Sequence, residues 1–382
     1  MVRLSGKMKN VGKGFYGLFG PPPQGVIRFT VGEPDFDTPD PIKMAAITSL
    51  VKGDTHYIDS DGRLSLREAI AAKLKSENGI EADAKEVVVT IGGKEAIFDA
   101  VLALTDVGDE VIIPSPAWPS YDAMVAIAGG KPVPVKVRPD NYHPDIEAIK
   151  SAVSKNTKAI ILNSPNNPTG AVFDKGEFKA IADLAVDHDF VVISDEIYEY
   201  MVYGGRKHVS IATLPGMRDR TVTVNGFSKA YAMTGWRVGY MHATGDLIGS
   251  MKLVHMHATT CAVSFGYDAA LVGLKECRPH VDRMVKEYDR RRVMVRDGLN
   301  SIPGFKCPEP EGAFYAFVNV GGLGMPTRDL AKHLFKEANV MIIPGADFTF
   351  GEGYMRFSYA TAYDKCVEGI ERIKKAVPKP KK

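Results

Sequence analysis

At 382 residues the chain can bury a large core and has the length of two domains. Its 45% hydrophobic and 25% charged content is that of an ordinary soluble globular protein and excludes a disordered or fibrous one. A net charge of +2 excludes the strong basic field expected of a nucleic-acid or acidic-membrane binder.

The N-terminus, MVRLSGKMKN, has no apolar stretch behind its charges, so no secretory leader is expected, and no run approaches a membrane span. Cys261, Cys277, Cys307 and Cys366 lie far apart with no paired short spacing. That argues against a zinc ribbon or a disulfide framework and fits a reducing compartment, so a cytoplasmic protein is expected. The first forty residues are irregular and rich in Gly and Pro. Residues 12–17 match a G-x-G-x-x-G spacing, but no strand precedes them and no helix follows, so the match is set aside as chance. Residues 26–31 read as a short extended run, followed by loop chemistry from Gly32 to Pro39, with Thr38 or Asp40 as a helix N-cap.

Short β-rich runs then follow at 87–91, 111–113, 133–137, 159–162, 191–194, 221–224 and 238–241. Between them, stretches such as 95–104 and 175–187 carry apolar residues at helical spacing. This alternation predicts an α/β fold with a mostly parallel seven-stranded sheet between helices. Beyond Pro279 the character changes. Residues 281–299 form a highly charged helix suited to bridging two domains, and 290–292, three arginines, read as its exposed face. Strand 313–320, helix 327–338, strands 340–343 and 354–359 and helix 365–376 suggest a smaller α+β domain. The expected division is a large domain at 46–278 and a small domain made of 1–45 with 279–382, the bridging helix being 279–300. The basic residues Lys374, Lys375 and 379–382 read as a solvated end, and His255-Met256-His257, with no acidic or cysteine partner nearby, as part of a helix.

In open α/β sheets ligands bind beyond the carboxyl ends of the strands, so the strand exits matter most. Gly92-Gly93-Lys94 after the first run is a phosphate cradle or a plain tight turn. Trp118, in the loop from Ser115 to Tyr121, is a core plug or a flat surface for a planar ligand. The loop from Asn163 to Gly170 holds three asparagines, more than one turn requires. Asp195 ends an apolar run, where a carboxylate is costly unless paired or hydrogen-bonded. Lys229 follows the 221–224 run, with Arg237 eight positions on, and a lysine there either snorkels or works. Together these supply a phosphate cradle, a stacking aromatic, hydrogen-bond donors, a carboxylate and an amine nucleophile. That inventory suits pyridoxal phosphate, which needs a lysine for its Schiff base and an acid beside its pyridinium nitrogen.

The chain resembles the fold-type I pyridoxal-phosphate enzymes of the class I/II aminotransferase family, in particular aspartate aminotransferases of the bacterial and archaeal branch. Val31-Gly32-Glu33-Pro34-Asp35-Phe36, Ser164-Pro165-Asn166-Asn167-Pro168-Thr169-Gly170, Asp195-Glu196-Ile197-Tyr198, Ser228-Lys229, Thr234-Gly235-Trp236-Arg237-Val238-Gly239 and Met355-Arg356-Phe357-Ser358 carry it, in family order. The resemblance implies Lys229 as Schiff-base lysine and proton shuttle, Asp195 at the pyridine nitrogen, and Asn167 and Tyr198 at the ring hydroxyl. It implies Trp118 stacked on the ring, and Gly93 and Lys94 (by backbone amides), Ser228 and Arg237 at the phosphate. Arg356 clamps the substrate α-carboxylate with Asn167 and Gly32, beside Trp118, and no metal is involved. Tyr57 reaches the phosphate of a neighbouring subunit, which implies a homodimer. Gly226 departs from the family, which often has a phosphate-binding serine there.

The implied reaction moves the amino group of an L-amino acid to a 2-oxo acid such as 2-oxoglutarate by ping-pong double displacement. Aspartate is the first expectation for the donor, then alanine or an aromatic amino acid; Lys94 and Arg63 are the candidates for reading a distal carboxylate. A pyridoxal-phosphate carbon–sulfur β-lyase shares nearly all these residues. A non-catalytic regulator of this fold would carry a winged helix, for which no room is expected before Gly32.

Overall fold

A computed structural model describes residues 5–11 and 23–378; the 12–17 match and residues 379–382 lie outside the described residues. After β1 (Ile27–Arg28) come α1 (Asp40–Val51) and α2 (Leu64–Lys73). A βα alternation follows: β2 (Val87–Thr90), α3 (Gly93–Leu104), β3 (Glu110–Ser115), α4 (Ser120–Ala128), β4 (Lys131–Lys136), α5 (Ile146–Ala152), β5 (Thr157–Asn163), α6 (Lys175–Asp187) and β6 (Val191–Asp195). Next are β7 (Thr221–Gly226), β8 (Gly239–His242), α7 (Gly245–Ala258), α8 (Ser264–Glu276) and α9 (Arg278–Asn300). The chain closes with β9 (Tyr315–Asn319), α10 (Thr327–Ala338), β10 (Val340–Met341), β11 (Ile343–Pro344), β12 (Tyr354–Ser358) and α11 (Tyr363–Ala376).

Strands β2 to β8 form one seven-stranded sheet in the order β2-β8-β7-β6-β5-β3-β4. Only β8 runs antiparallel to its neighbours, β2 and β7. Strands β2 and β7, and β6 beyond Val191, are buried along their length, which is why they read as continuous apolar runs rather than alternating ones. Pairing outlasts the apolar runs: Asn163 sits opposite Asp195, and Asp195 opposite Val224. Polar groups are thereby fixed in the sheet's carboxyl edge rather than in loops. A second, three-stranded antiparallel sheet has the order β11-β12-β9, and β1 pairs with β10.

Local departures from the sequence expectations have tertiary causes. Only residues 27–28 of the 26–31 run pair as strand, and 340–343 divides, Val340–Met341 joining β1 and Ile343–Pro344 joining β12. Neither Thr38 nor Asp40 caps α1, whose N-cap is Pro39 without a side-chain bond. The Thr38 hydroxyl instead donates to the Ala232 carbonyl at 2.6 Å and accepts from Trp236 Nε1 at 3.0 Å.

Arginines 290–292 are not a single exposed face. Arg291 and Arg292 are 4% and 6% exposed. Arg291 donates to Asp35 and Glu287, and Arg292 to Asp289 and Glu309. Because α9 packs on two sides and draws partners from distant loops, guanidinium groups can be buried and still paired. His255 likewise has acidic company: its Nδ1 lies 3.5 Å from Glu95 and 3.5 Å from Asp99, both on α3 and remote in sequence. Among the described residues, no helix is long and apolar enough to cross a membrane.

Removing a partnered buried charge strands its counter-charges, at a cost of about 3–5 kcal/mol for a fully buried pair, whereas exposed pairs contribute about 0–1 kcal/mol. Arg291→Met is therefore expected to lower stability in denaturant unfolding by roughly 3 kcal/mol, and Arg290→Ala by less than about 1 kcal/mol. Equal effects would contradict the burial assigned to Arg291.

Candidate active site

The carboxyl ends of β5, β6 and β7, the start of α3 and strand β12 enclose a cavity of about 670 Å³. Every site residue expected from the sequence lines it except Tyr57, which is 87% exposed elsewhere on the surface. Arg63 does not line it either; its guanidinium donates to Asp54 and, at 2.9 Å, to Asp268.

Asp195, the last residue of β6, is buried, and its carboxylate accepts from Tyr121 Oη at 2.6 Å and Ile197 N at 3.2 Å. Burial pushes its carboxyl up to about 6, against the pull of those two bonds and of the Lys229 charge. Lys229 follows β7, and its amine donates to the Gly32 carbonyl. Burial pushes this ammonium down to about 8; Glu33 and Asp195 oppose the shift, while Arg237 and Arg356 add to it. The opposed shifts bring a carboxyl and an amine toward one another in acidity, each within reach of neutral pH.

The asparagine loop is a bracket. Asn163 accepts from Asn167 N at 2.8 Å and donates to the Asp195 carbonyl at 3.0 Å, tying the loop to β6. Asn167 Oδ1 accepts from Arg356 at 2.9 Å, and Arg356 also donates to the Thr30 carbonyl at 2.5 Å. The Arg356 guanidinium lies 4.7 Å over the ring of Tyr315, whose hydroxyl is 2.8 Å from that of Tyr198. Trp118 is not a core plug: it lines the cavity, edge-on to Tyr121, with the Lys94 ammonium 4.7 Å over its ring. Burial, and then the Arg237 charge, lower the Lys94 pKa.

At the other end of the cavity α3 begins at Gly93, its free amides opening toward Ser228 and Arg237. Gly92 has φ +76°, and a Cβ there would lie 2.6 Å from the Arg237 guanidinium, so only glycine allows the turn and the arginine together. The same crowding accounts for Gly226: a Cβ there would sit 2.9 Å from Gly239 Cα and 3.1 Å from the Val238 carbonyl. A serine at that position would push β7 from β8, and Ser228 lines the cavity instead.

Three contributors were not legible from sequence. Tyr121 lies three positions after Trp118, in the same loop-to-helix passage, and that proximity is its only signal. Asn163 was visible only as one of three asparagines, and Tyr315, inside an apolar strand, gave no signal. The completed set fits pyridoxal phosphate: an amide-lined helix start with an arginine for a phosphate, a flat indole for a ring, and a buried carboxylate and amine for the ring nitrogen and aldehyde.

The family model for aminotransferase class I and II matches residues 24–373. An aspartate aminotransferase of Pyrococcus abyssi is 46% identical, over 93% of this chain and 92% of that protein. An aromatic-amino-acid aminotransferase 2 of Thermococcus litoralis is 44% identical, over 94% and 93%. The solved aromatic aminotransferase from Pyrococcus horikoshii OT3 superposes with a TM-score of 0.90 at 47% identity, over 92% of this chain and 95% of that one. Thermus thermophilus aspartate aminotransferase with maleate gives 0.89 at 40% identity, over 92% of each chain.

A pKa near 8 makes Lys229 reactive where ordinary lysines, at about 10.4, are protonated. In cofactor-free protein, acylation of the Lys229 peptide followed by mass spectrometry should rise with pH to a midpoint near 8. A midpoint shared with the surface lysines would contradict the burial argument.

Proposed function

The chain belongs to the aminotransferase class I and II family, and on that premise we propose that this pyridoxal-phosphate-dependent aminotransferase carries the amino group of L-aspartate to 2-oxoglutarate. The observation that carries the reading is the convergence of Asp195, Lys229 and Arg356 on one cavity. When bound, the cofactor supplies an aldehyde that takes up the amino group and a ring that withdraws electrons from the substrate Cα.

The protein's own groups do the rest. Asp195, fixed by Tyr121 and Ile197, supplies the negative charge that keeps a ring nitrogen protonated. Tyr198, its hydroxyl set by Tyr315, and Asn167 address the ring hydroxyl. Trp118 covers the ring face, and the Gly93 and Lys94 amides, Ser228 and Arg237 hold the phosphate. Arg356, oriented by Asn167 and Thr30, offers a planar fork to the α-carboxylate beside Gly32. Lys229, poised near 8, is the base that takes the proton from the substrate Cα and returns it on the other side of the transfer.

Lys94 is the cation that reads a distal carboxylate, since its ammonium faces the cavity and Arg63 is engaged by Asp54 and Asp268. That the Thermus aspartate aminotransferase is solved with maleate, a dicarboxylate, supports a dicarboxylic substrate. The working unit is a homodimer. Tyr57 and, on α1, Met44, Ile47, Leu50 and Val51 are exposed, an apolar strip suited to a second copy from which Tyr57 reaches the partner's phosphate site. We place this dimer in the cytoplasm, as the separate, free cysteines suggest. The two sheets support a division of the chain, with the first boundary ahead of α1, because residue 45 lies inside that continuous helix.

A charge-assisted hydrogen bond contributes about 1.5–3 kcal/mol, a factor of roughly 10–100. Lys94→Met is expected to lower kcat/KM for aspartate by about that factor in an oxaloacetate-coupled assay, and for phenylalanine by less than about threefold. An equal loss on both substrates would reject Lys94 as the reader of the distal carboxylate.

A further inference from the structure

Outside the cavity, a polar cluster is buried between α3 and α7. Asp99 and His255 are both 0% exposed, and among the described residues neither carboxylate oxygen of Asp99 nor either ring nitrogen of His255 finds a hydrogen bond. Glu95 lies one turn before Asp99 on the same face of α3. His255 Nδ1 is 3.5 Å from Glu95 Oε2 and 3.5 Å from Asp99 Oδ2. Charge-assisted hydrogen bonds close to about 2.7–2.9 Å, so these spacings, though within ion-pair range, are too long for hydrogen bonds. They match instead the edge of a tetrahedron whose centre lies about 2.0–2.2 Å from each donor, which is about 3.3–3.6 Å. The three donor atoms all lie within 4.8 Å of one another.

We propose that Glu95, Asp99 and His255 bind one divalent transition-metal ion of the zinc type, which clamps α3 to α7. An imidazole nitrogen with two carboxylates favours such an ion over calcium or magnesium, which prefer all-oxygen shells. Two carboxylates and a neutral imidazole carry a charge of −2, which a divalent ion cancels in a place where uncompensated charge is costly. Glu95 also accepts from Ile91 N and Thr259 Oγ1, the outer bonds that fix a ligating carboxylate. Its side chain, 14% exposed, marks the way in. The other cluster of similar composition, Glu196, Glu199 and His208, needs no ion: its carboxylates are met by Ser194, Ser210, Lys73 and Asn78. Because α3 begins with the Gly93 turn and α7 leads into Thr259, the ion fastens the base of the phosphate site without touching the reacting atoms.

The test uses untagged, cofactor-loaded enzyme stripped with a chelator and titrated with zinc chloride. One zinc per chain should remain after desalting, and the thermal midpoint should rise by about 2 °C or more, with no rise in magnesium or calcium. Asp99→Asn and His255→Gln should each weaken zinc binding at least tenfold and abolish the rise; Asp99→Asn keeps the side-chain shape and guards against misfolding. Sub-stoichiometric zinc, or unchanged binding in both variants, would overturn the site and leave a proton on His255 as the counter-charge. The readouts are metal content and melting, so failure of the aspartate reading would not alter them.

Discussion

The structure depends on holding opposite charges apart inside one cavity. Asp195 is held by Tyr121 and Ile197, Lys229 by the Gly32 carbonyl, and Arg356 by Asn167 and Thr30. These partners are neutral, so each charge keeps its place without collapsing onto another. Burial shows in the displaced acidities, with Asp195 raised to about 6 and Lys229 lowered to about 8. Charges fixed before a ligand arrives need no reorganisation when it does, which is the electrostatic basis of much enzymatic rate enhancement.

Sheet topology brings the phosphate end to the same place. With β8 inserted antiparallel between β2 and β7, the turn after β2 lies beside the exit of β7. Contact is close enough that a side-chain carbon at Gly239 would strike the Gly93 amide. The helix-start amides and Lys229 are thus set side by side by backbone packing, and the glycines at 92, 226 and 239 are conditions of that approach.

Much of this was legible in the sequence, and what was not has a physical reason. All strands of the large sheet except the edge strand β4 are largely buried, so their apolar runs announced them, but the runs stopped short because Asn163, Asp195 and Gly226 continue the pairing without being apolar. Functional side chains at strand exits could be found by position, and family resemblance supplied their roles. Tyr315 could not be found, since a tyrosine in a strand reads as core until its hydroxyl is seen against Tyr198. The cap role read for Thr38, the exposed face read for Arg291 and the lack of acidic company read for His255, which does sit in helix α7, failed for one cause: each meets groups on elements far away in sequence, where local pattern carries no information. Tyr57 points to the same limit at a larger scale, because the group proposed for it belongs to another subunit.

The central claim is that Lys229 and Asp195 serve a reversible amino transfer. It is tested most directly by following the visible absorbance of cofactor-loaded protein, first with L-aspartate alone and then with 2-oxoglutarate. The account predicts that the yellow band is lost with aspartate, with one oxaloacetate released per chain, and returns with 2-oxoglutarate. A band that persists with aspartate, in a protein that releases pyruvate and ammonia when cystathionine is supplied in its place, would contradict it.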